Sequence, residues 1–478
     1  MPYDVNTIAP AAWEGNESFL GLGQVQALSK AIMEAGDGVD AASMATTGRA
    51  LGRESLDEVL QIVTLSEKRA SLWRAIKKEP LFASIDQYDR LTSEGDDYFG
   101  VGTSETGSPP DAISAISRAF VGIRNYRDIR KTSDIIGRVN NIVDPVKQAE
   151  RDGTRRLIKI LNTDLYWGND SIPTRVDGLI ETLVFGGYTV PTQDYAGRVM
   201  AEGDEWEWIT AEVMNAGGTS THAFMNPLLG ADFNLMYEAN KRLTITPGGD
   251  DGSATYYGAG LGGLDTANGR LEFERDPFNK IGWACPSLSR GPEPPATPTL
   301  NSATPGGSGN NSLTGTYYYK VTAVNENGES APATSGAISV TEGELVALIV
   351  TPGDSISTGF RVYRSARNAS SAADCRYLYS FAWDGSGATT WNDDFTLVPG
   401  TAHIPIIDML PEDTTMQWSQ LVALEKKDFA PIGFYEWFGL TLTGALRIAK
   451  PEWFGIMLNI LPLRSRAAGW DPMALYTS

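Results

Sequence analysis

The chain has 478 residues, with 39 Lys and Arg against 59 Asp and Glu, for a formal net charge of −20 at pH 7. That length predicts about two to four domains with large cores, and the acidity excludes wrapping of nucleic acid through phosphate neutralisation, which needs a basic surface. Two cysteines, Cys285 and Cys375, read as unpaired thiols of a reducing compartment, placed in different domains.

In chain order, residues 1–50 are small and polar, with Gly at 15, 21, 23, 36, 38 and 48. They read as an extended arm with one short helix around Gln24–Ala35. The opening MPYDVNTIAPAAWEG lacks the basic start and apolar core of a secretory signal. No stretch of the chain reaches the roughly 18 apolar residues of a membrane span. Residues 54–69 carry Leu56, Val59, Leu60 and Val63 at helical spacing. Two strands are predicted over 73–92 and 117–130, flanking the Gly/Ser/Pro-rich tip SEGDDYFGVGTSETGSPPDA at 93–112. A two-stranded arm cannot bury its own faces, so it finds a partner chain.

A strong helix follows, with Asp144 as candidate N-cap and Pro145 at its first position. Leu157, Ile158, Leu161 and Leu165 form its apolar stripe, Arg155, Arg156 and Lys159 a basic outer side, and Gly168 the stop. Residues 206–240 read as helix, strand, helix, with breaks at Gly217–Gly218 and a cap at Asn226 before Pro227. Residues 247–269 read as a Gly-rich loop and PEPPATP at 292–298 as a stiff linker.

The segment SLTGTYYYKVTAVNENGESAP at 312–332 alternates with period two. Tyr317, Tyr319, Val321 and Ala323 fall on one strand face, and Tyr318, Lys320, Thr322 and Val324 on the other. Further short strands are predicted within 359–368, 375–383 and 389–395, up to about Gly400. This segment resembles a fibronectin type III or immunoglobulin-like β-sandwich. Strand-like runs resume over 403–462, so the sandwich reads as an insertion into a host domain, which tolerates one when the insert's ends lie close together.

In order and local pattern the host part resembles the major capsid proteins of tailed bacteriophages, of the Hong Kong-type capsid fold. The resemblance rests on the glycine-rich arm, the long two-stranded loop, the helix at 145–167, the helix–GG–strand–MNP–helix run at 211–240, and the closing run ALRIAKPEWFGIMLNI at 445–460. In such proteins that closing run is an apolar hairpin beneath the long helix. The resemblance implies an α+β fold in five parts: an arm and first helix (1–70), an extended loop (71–130), a spine helix and axial region (131–291), the sandwich (292–400) and a return to the host domain (401–478). It implies a shell protein made in the host cytoplasm and built into the virion as hexamers and pentamers around double-stranded DNA, without sequence-specific binding. Its implied companions are a separate scaffolding protein, a portal and a cement protein, with no membrane. Family members that cross-link covalently use Lys and Asn, for which Lys77 and Lys78 are the loop's candidates, though loop lysines are ordinarily only solvated. A phage tail or baseplate protein carrying a sandwich is the alternative, and a secreted polysaccharide-active enzyme a third reading.

Catalytic patterns are not found. His222 and His403, the only histidines, have no metal-ligand spacing, and there is no CxxC. GAGLGG at 258–263 satisfies GxGxxG, but no helix pattern follows to hold a pyrophosphate. Asp250–Asp251, Glu202–Asp204–Glu205 and Asp393–Asp394 read as solvated turn charge, with weak cation binding at Asp393 or Asp394 as the alternative. No catalytic residue, cofactor or metal is assigned. Among the sandwich aromatics, Trp383 and Trp391 are candidate contacts for host-surface glycans, against core packing as the ordinary role of such rings.

Overall fold

The computed structural model describes residues 69–93, 114–133, 145–200, 204–238, 262–266, 268–312, 314–410, 415–430 and 435–475, which belong to one compact unit. Outside them lie the predicted arm and helices as far as residue 68, nearly all of the 93–112 tip, Asp144, Glu202, Asp250, Asp251 and most of GAGLGG.

The expected α+β class is what the elements form. Among the described residues the longest helix, α2, spans Pro145–Trp167, 23 residues, behind a short α1 at Ser71–Ala75. Leu157, Leu161 and Leu165 are buried on one side of α2, as their spacing requires. They press onto a sheet of order β1-β19-β20-β4, made from Lys77–Pro80, Met416–Asp428, Tyr435–Ile448 and Arg124–Ser133. At Gly153 an added Cβ would lie 2.5 Å from Leu440 Cδ1, so the bare helix face is what lets α2 approach the sheet. Gly168 ends the helix for a similar reason, since a Cβ there would meet Val176 O at 2.1 Å. The basic side is not wholly outward: Arg156 pairs with buried Asp128 of β4 at 2.7 Å.

A second, six-stranded sheet has the order β5-β21-β18-β6-β8-β7: Thr192–Asp194, Gly455–Ile460, Ala402–Ile407, His222–Met225, Gly269–Arg275 and Gly263–Thr266. The helix–strand–helix expectation holds as α3 (Asp204–Asn215), β6 and α4 (Pro227–Glu238). Asn226 caps α4, accepting from Leu228 N at 3.0 Å. Trp206 and Phe233 from the two helices join one core with Ile404, Ile406 and Met457. The loop expected over 247–269 is corrected at its end, where β7 pairs with β8.

Two other expectations fail for one reason, long-range pairing. Residues 73–92 form not one strand but α1, β1 and β2 (Ile85–Ser93), because β1 is captured in parallel by β19. The closing run 445–460 is not one hairpin: β20 and β21 lie in different sheets, and the 3-10 turn Pro451–Trp453 carries the chain between them.

Residues 299–393 form two facing sheets with a common core. One has the order β12-β11-β15-β16 (Ala333–Thr334, Tyr319–Val324, Gly359–Arg364, Arg376–Ala382), the other β17-β14-β9 (Thr389–Asp393, Leu345–Thr351, Thr299–Gly306). Beside them β10 (Gly315–Tyr317) pairs with β13 (Ile338–Val340). Tyr317, Tyr319, Val321 and Ala323 are all buried, as the alternation predicts, but the strand breaks at Tyr318. Its opposite face is not solvent-facing throughout: Thr322 is buried and donates to Glu329 Oε1 at 2.7 Å. The chain enters and leaves this region at one point, where a Cβ on Gly282 would lie 2.6 Å from Gly400 N.

Candidate assembly surface

The strands β2 and β3 (Ala115–Gly122) form a two-stranded antiparallel ribbon. Register puts Asp86, Tyr88 and Arg90 on one face and Ile85, Asp89 and Leu91, with Ile116, Arg118 and Phe120, on the other. The first face is tied to the chain's own body. Ser419 Oγ donates to Asp86, Tyr88 donates to Ile448 O at 3.0 Å, and Arg90 forks onto both oxygens of Glu452 at 2.6 Å. Arg447 lies over the Tyr88 ring, 4.3 Å from its centroid. Among the described residues the second face touches nothing comparable: Ile116 is 69% exposed and Phe120 74%, around an exposed Asp89–Arg118 ion pair at 2.8 Å. The ribbon is thus anchored on one side and open and apolar on the other, the condition in which an exposed patch marks an interaction site.

Lys77 and Lys78, the loop's cross-linking candidates, both lie in β1. Lys77 pairs with Glu79 at 2.7 Å, and Lys78 donates to Trp73 O at 2.5 Å, where burial lowers its pKa.

The two-sheet region is bound firmly to the body. Asn169, just after α2, donates to Tyr379 Oη at 2.7 Å and to Ser380 O at 3.0 Å. Tyr379 in turn donates to Glu181 Oε1 at 2.8 Å. Arg376 stacks on Trp470, 3.9 Å from its centroid, and Trp470 donates to Pro399 O at 3.1 Å. Glu181 sits with Asp177 and Asp170 in this junction. Burial lifts the Glu181 carboxyl to about 7, despite the Tyr379 hydroxyl, which favours the charged form. Burial likewise lifts Asp177 to about 6. Both folded-state values stand above the roughly 4 of an unfolded chain. Their stabilisation is therefore full below about pH 4 and lost as pH rises through about 7. Glu181→Gln keeps an acceptor for Tyr379 and removes the charge, so its thermal midpoint should exceed the parent's at pH 8 and match it at pH 4. An equal difference at both pH values, read by calorimetry, would refute the assignment.

His403 works in the opposite sense. It is buried against Trp167, its Nδ1 accepts from Asn459 N at 3.2 Å, and burial lowers it to about 3. Its contribution is present above about pH 6.5 and lost as pH falls towards 3. His222 is half-buried in β6, with Nδ1 2.9 Å from Thr221 Oγ1.

The remaining sequence candidates separate. Asp393 is no cation ligand: it is buried, held by Arg364, and accepts from Tyr319 at 2.8 Å. Asp394 instead closes a local turn, accepting from Thr396 N at 3.1 Å. Trp391 lies parallel to Tyr379 and Phe381, with centroids 5.4 and 5.8 Å away, and Trp383 donates to Gly387 O at 3.2 Å. Both tryptophans are half-buried on the core of the two sheets. Gly263 of GAGLGG opens strand β7, and the next element is strand β8, not a helix. Among the described residues no group of three or more His, Cys, Asp and Glu side chains is placed to hold a metal ion, and no helix is long and apolar enough to cross a membrane. The cysteines, read as belonging to different domains, are adjacent, since Cys285 N donates to Cys375 O at 3.1 Å.

No protein-family model matches the chain. The major capsid protein of Staphylococcus phage K is 25% identical over 206 residues, which is 40% of this chain and 43% of that protein. The match therefore spans less than half the length of that relative. The putative major capsid protein of Enterococcus phage phiEF24C is 22% identical over 443 residues, 87% of this chain and 91% of that protein. This chain is similar to phage major capsid proteins. Solved structures to which this chain is similar include the capsid of a native GTA particle (9% identity, 88% of this chain and 99% of that chain, TM-score 0.45). Mycobacterium phage Bobi gives 9% identity, the same coverage of both chains and a TM-score of 0.43. The similarity to the enterococcal protein extends over most of both chains.

Proposed function

We propose that this chain is the non-enzymatic shell subunit of a tailed-phage head, folded on the Hong Kong-type capsid plan. It forms hexamers and pentamers in the virion around double-stranded DNA held without sequence-specific contacts. The near end-to-end match to a putative major capsid protein carries this reading. The open face of the ribbon supports it, since Ile85, Leu91, Ile116 and Phe120 lie exposed on a ribbon already fixed to its own body. Burying that face against a neighbouring copy contributes apolar area in every contact of a lattice. A scaffolding protein, a portal and a cement protein are the companions proposed with it, and the host cytoplasm the place of synthesis. Residues 292–400 are proposed as an inserted immunoglobulin-like module, seated on the body through Tyr379, Arg376 and Trp470. Contact of the half-exposed Trp383 and Trp391 with host-surface glycans is a secondary proposal for that module.

The test is negative-stain electron microscopy of the purified chain with size-exclusion chromatography, alone and with a scaffold. Closed shells, or rings of five and six, are expected. Phe120→Asp with Ile116→Asp should leave a folded species that elutes as free subunits, because it places charge in the buried contact. Tubes would reject the shell reading in favour of a tail protein, and shells that survive the double substitution would reject the ribbon's part in assembly.

A further inference from the structure

Residues 281–291 run beside β16 before the chain turns into the two-sheet region. Ala284 and Arg376 form an antiparallel bridge, flanked by Cys285 N to Cys375 O at 3.1 Å and Tyr377 N to Trp283 O at 2.8 Å. In that register Trp283 lies opposite Tyr377, and their rings stack with centroids 3.9 Å apart and planes 12° from parallel. Two residues further along each strand, Cys285 lies opposite Cys375 and therefore on the same face. Both are free thiols in one apolar cluster with Tyr363 and Tyr377, Cys375 buried and Cys285 half-buried. Residues opposed in this way have Cα atoms about 5.5 Å apart, inside the span of roughly 4.4–6.8 Å that a disulfide bridges. In the reduced chain each sulfur rests near a carbonyl, Cys285 Sγ 3.5 Å from Pro286 O and Cys375 Sγ 3.7 Å from Tyr318 O. Rotation about the Cα–Cβ bonds is the movement that joining them requires.

We propose that Cys285 and Cys375 form an oxidant-closed staple: a peroxide converts the pair to a disulfide that ties the segment leading into the two-sheet region to the start of β16. The Cys285 thiolate, on the more accessible sulfur, attacks one peroxide oxygen. The O–O bond breaks, the departing oxygen leaves as water, and Cys285 becomes a sulfenic acid. The Cys375 sulfur then attacks the Cys285 sulfur, the S–O bond breaks, and a second water carries away the Cys375 proton. Two thiols are oxidised and one peroxide is reduced to two waters. The closed loop encloses β9 to β15, so the unfolded chain loses freedom that the folded chain never had.

The surroundings make the closure slow and pH-dependent. Burial pushes both thiols up to about 12. Lys320 opposes this at both sulfurs and Arg290 at Cys285, while Glu329 reinforces it at Cys285 and Asp374 at Cys375. The thiolate is the reacting form, so the rate should rise about tenfold per pH unit below that value. The pair therefore stays reduced in a reducing compartment and closes on exposure to oxidant.

The test treats the folded full-length chain with hydrogen peroxide at pH 7, 8 and 9 without denaturant. Residual thiols are then alkylated, and the non-reducing digest is read by mass spectrometry. A linked peptide pair containing Cys285 and Cys375, lighter by two hydrogens, is expected, at a rate rising with pH. The thermal midpoint should rise by several degrees and return to its starting value with reductant. Cys285→Ser and Cys375→Ser should show neither effect, and Cys285→Ala serves if the serine variant does not fold. Over-oxidation of Cys285 with Cys375 still alkylatable, a link between two chains, or a link that lowers the midpoint would each overturn the proposal.

Discussion

Arg364→Ala should unfold the two-sheet region selectively, lowering its stability by about 3–5 kcal/mol, the usual cost of removing one partner of a buried ion pair. Arg364 and Asp393 are 1% and 3% exposed and joined directly. Arg364 also donates to Leu397 O at 2.7 Å and lies 4.4 Å from the Phe395 ring centroid. Asp393 accepts from Tyr319 at 2.8 Å and from Phe395 N at 3.1 Å. Removing the guanidinium leaves the Asp393 carboxyl group without its charge partner and the Leu397 carbonyl without its donor in an apolar core. Asp393→Ala should cost a similar amount, and the double substitution Arg364→Met with Asp393→Leu less than the two single effects added, because neither charge is left alone. Full recovery is not expected, since Tyr319 and Leu397 O lose partners in any case. Chemical denaturation followed by tryptophan fluorescence checks this, and a loss under about 1 kcal/mol for Arg364→Ala would show that the pair contributes little.

Asp276→Ala should be comparably severe, but in the body. Asp276 is fully buried, and its Oδ2 accepts from Ser71 Oγ and Leu72 N at 3.2 Å, Asn162 Nδ2 at 2.9 Å and Tyr166 Oη at 3.1 Å. Its Oδ1 accepts from Phe278 N at 2.8 Å. One side chain therefore joins α1, α2 and the turn after β8. Alanine leaves these donors unmet, at about 1–3 kcal/mol for each that stays buried, partly relieved by relaxation. A net loss of about 3 kcal/mol or more is expected. Asp276→Asn should rescue little, because its amide sets N–H groups against one cluster of donors or the other. Stability near that of the parent chain for both variants would refute this role.

Neither node was legible in the same way. Alternation in GFRVYR places Arg364 on the buried face with Phe360 and Val362, so a charge on an apolar face was a readable sign that a partner existed. Asp393 stood in a turn-like run and read as solvated, because only the β14–β17 pairing brings it into that core. Asp276 carried no local signal, since its partners lie as far as 205 residues away. The same division runs through the fold. Local pattern was enough for α2, for helix–strand–helix at 204–238 and for the alternating tyrosines, where burial follows directly from period. It was not enough where pairing is distant: the capture of β1 by β19, the parting of β20 from β21, and the meeting of Cys285 with Cys375. The ribbon was legible only as an extended two-stranded stretch: the predicted strand at 73–92 covers α1, β1 and β2, and that at 117–130 runs together β3 of the ribbon and β4 of the body sheet, while which face is anchored and which is open depended on register against Ile448 and Glu452.

The meeting of Gly282 and Gly400 has a consequence for how such chains change over generations. The backbone passes into the two-sheet region and back out through a single crossing, where a side chain on Gly282 would collide with the returning strand. The body's own path is therefore already closed at that point. If residues 292–400 are the insertion proposed above, an in-frame deletion or exchange of the intervening segment would alter the length of the gene without altering the distance the body must span, and this crossing would be where whole cassettes are gained, lost or replaced.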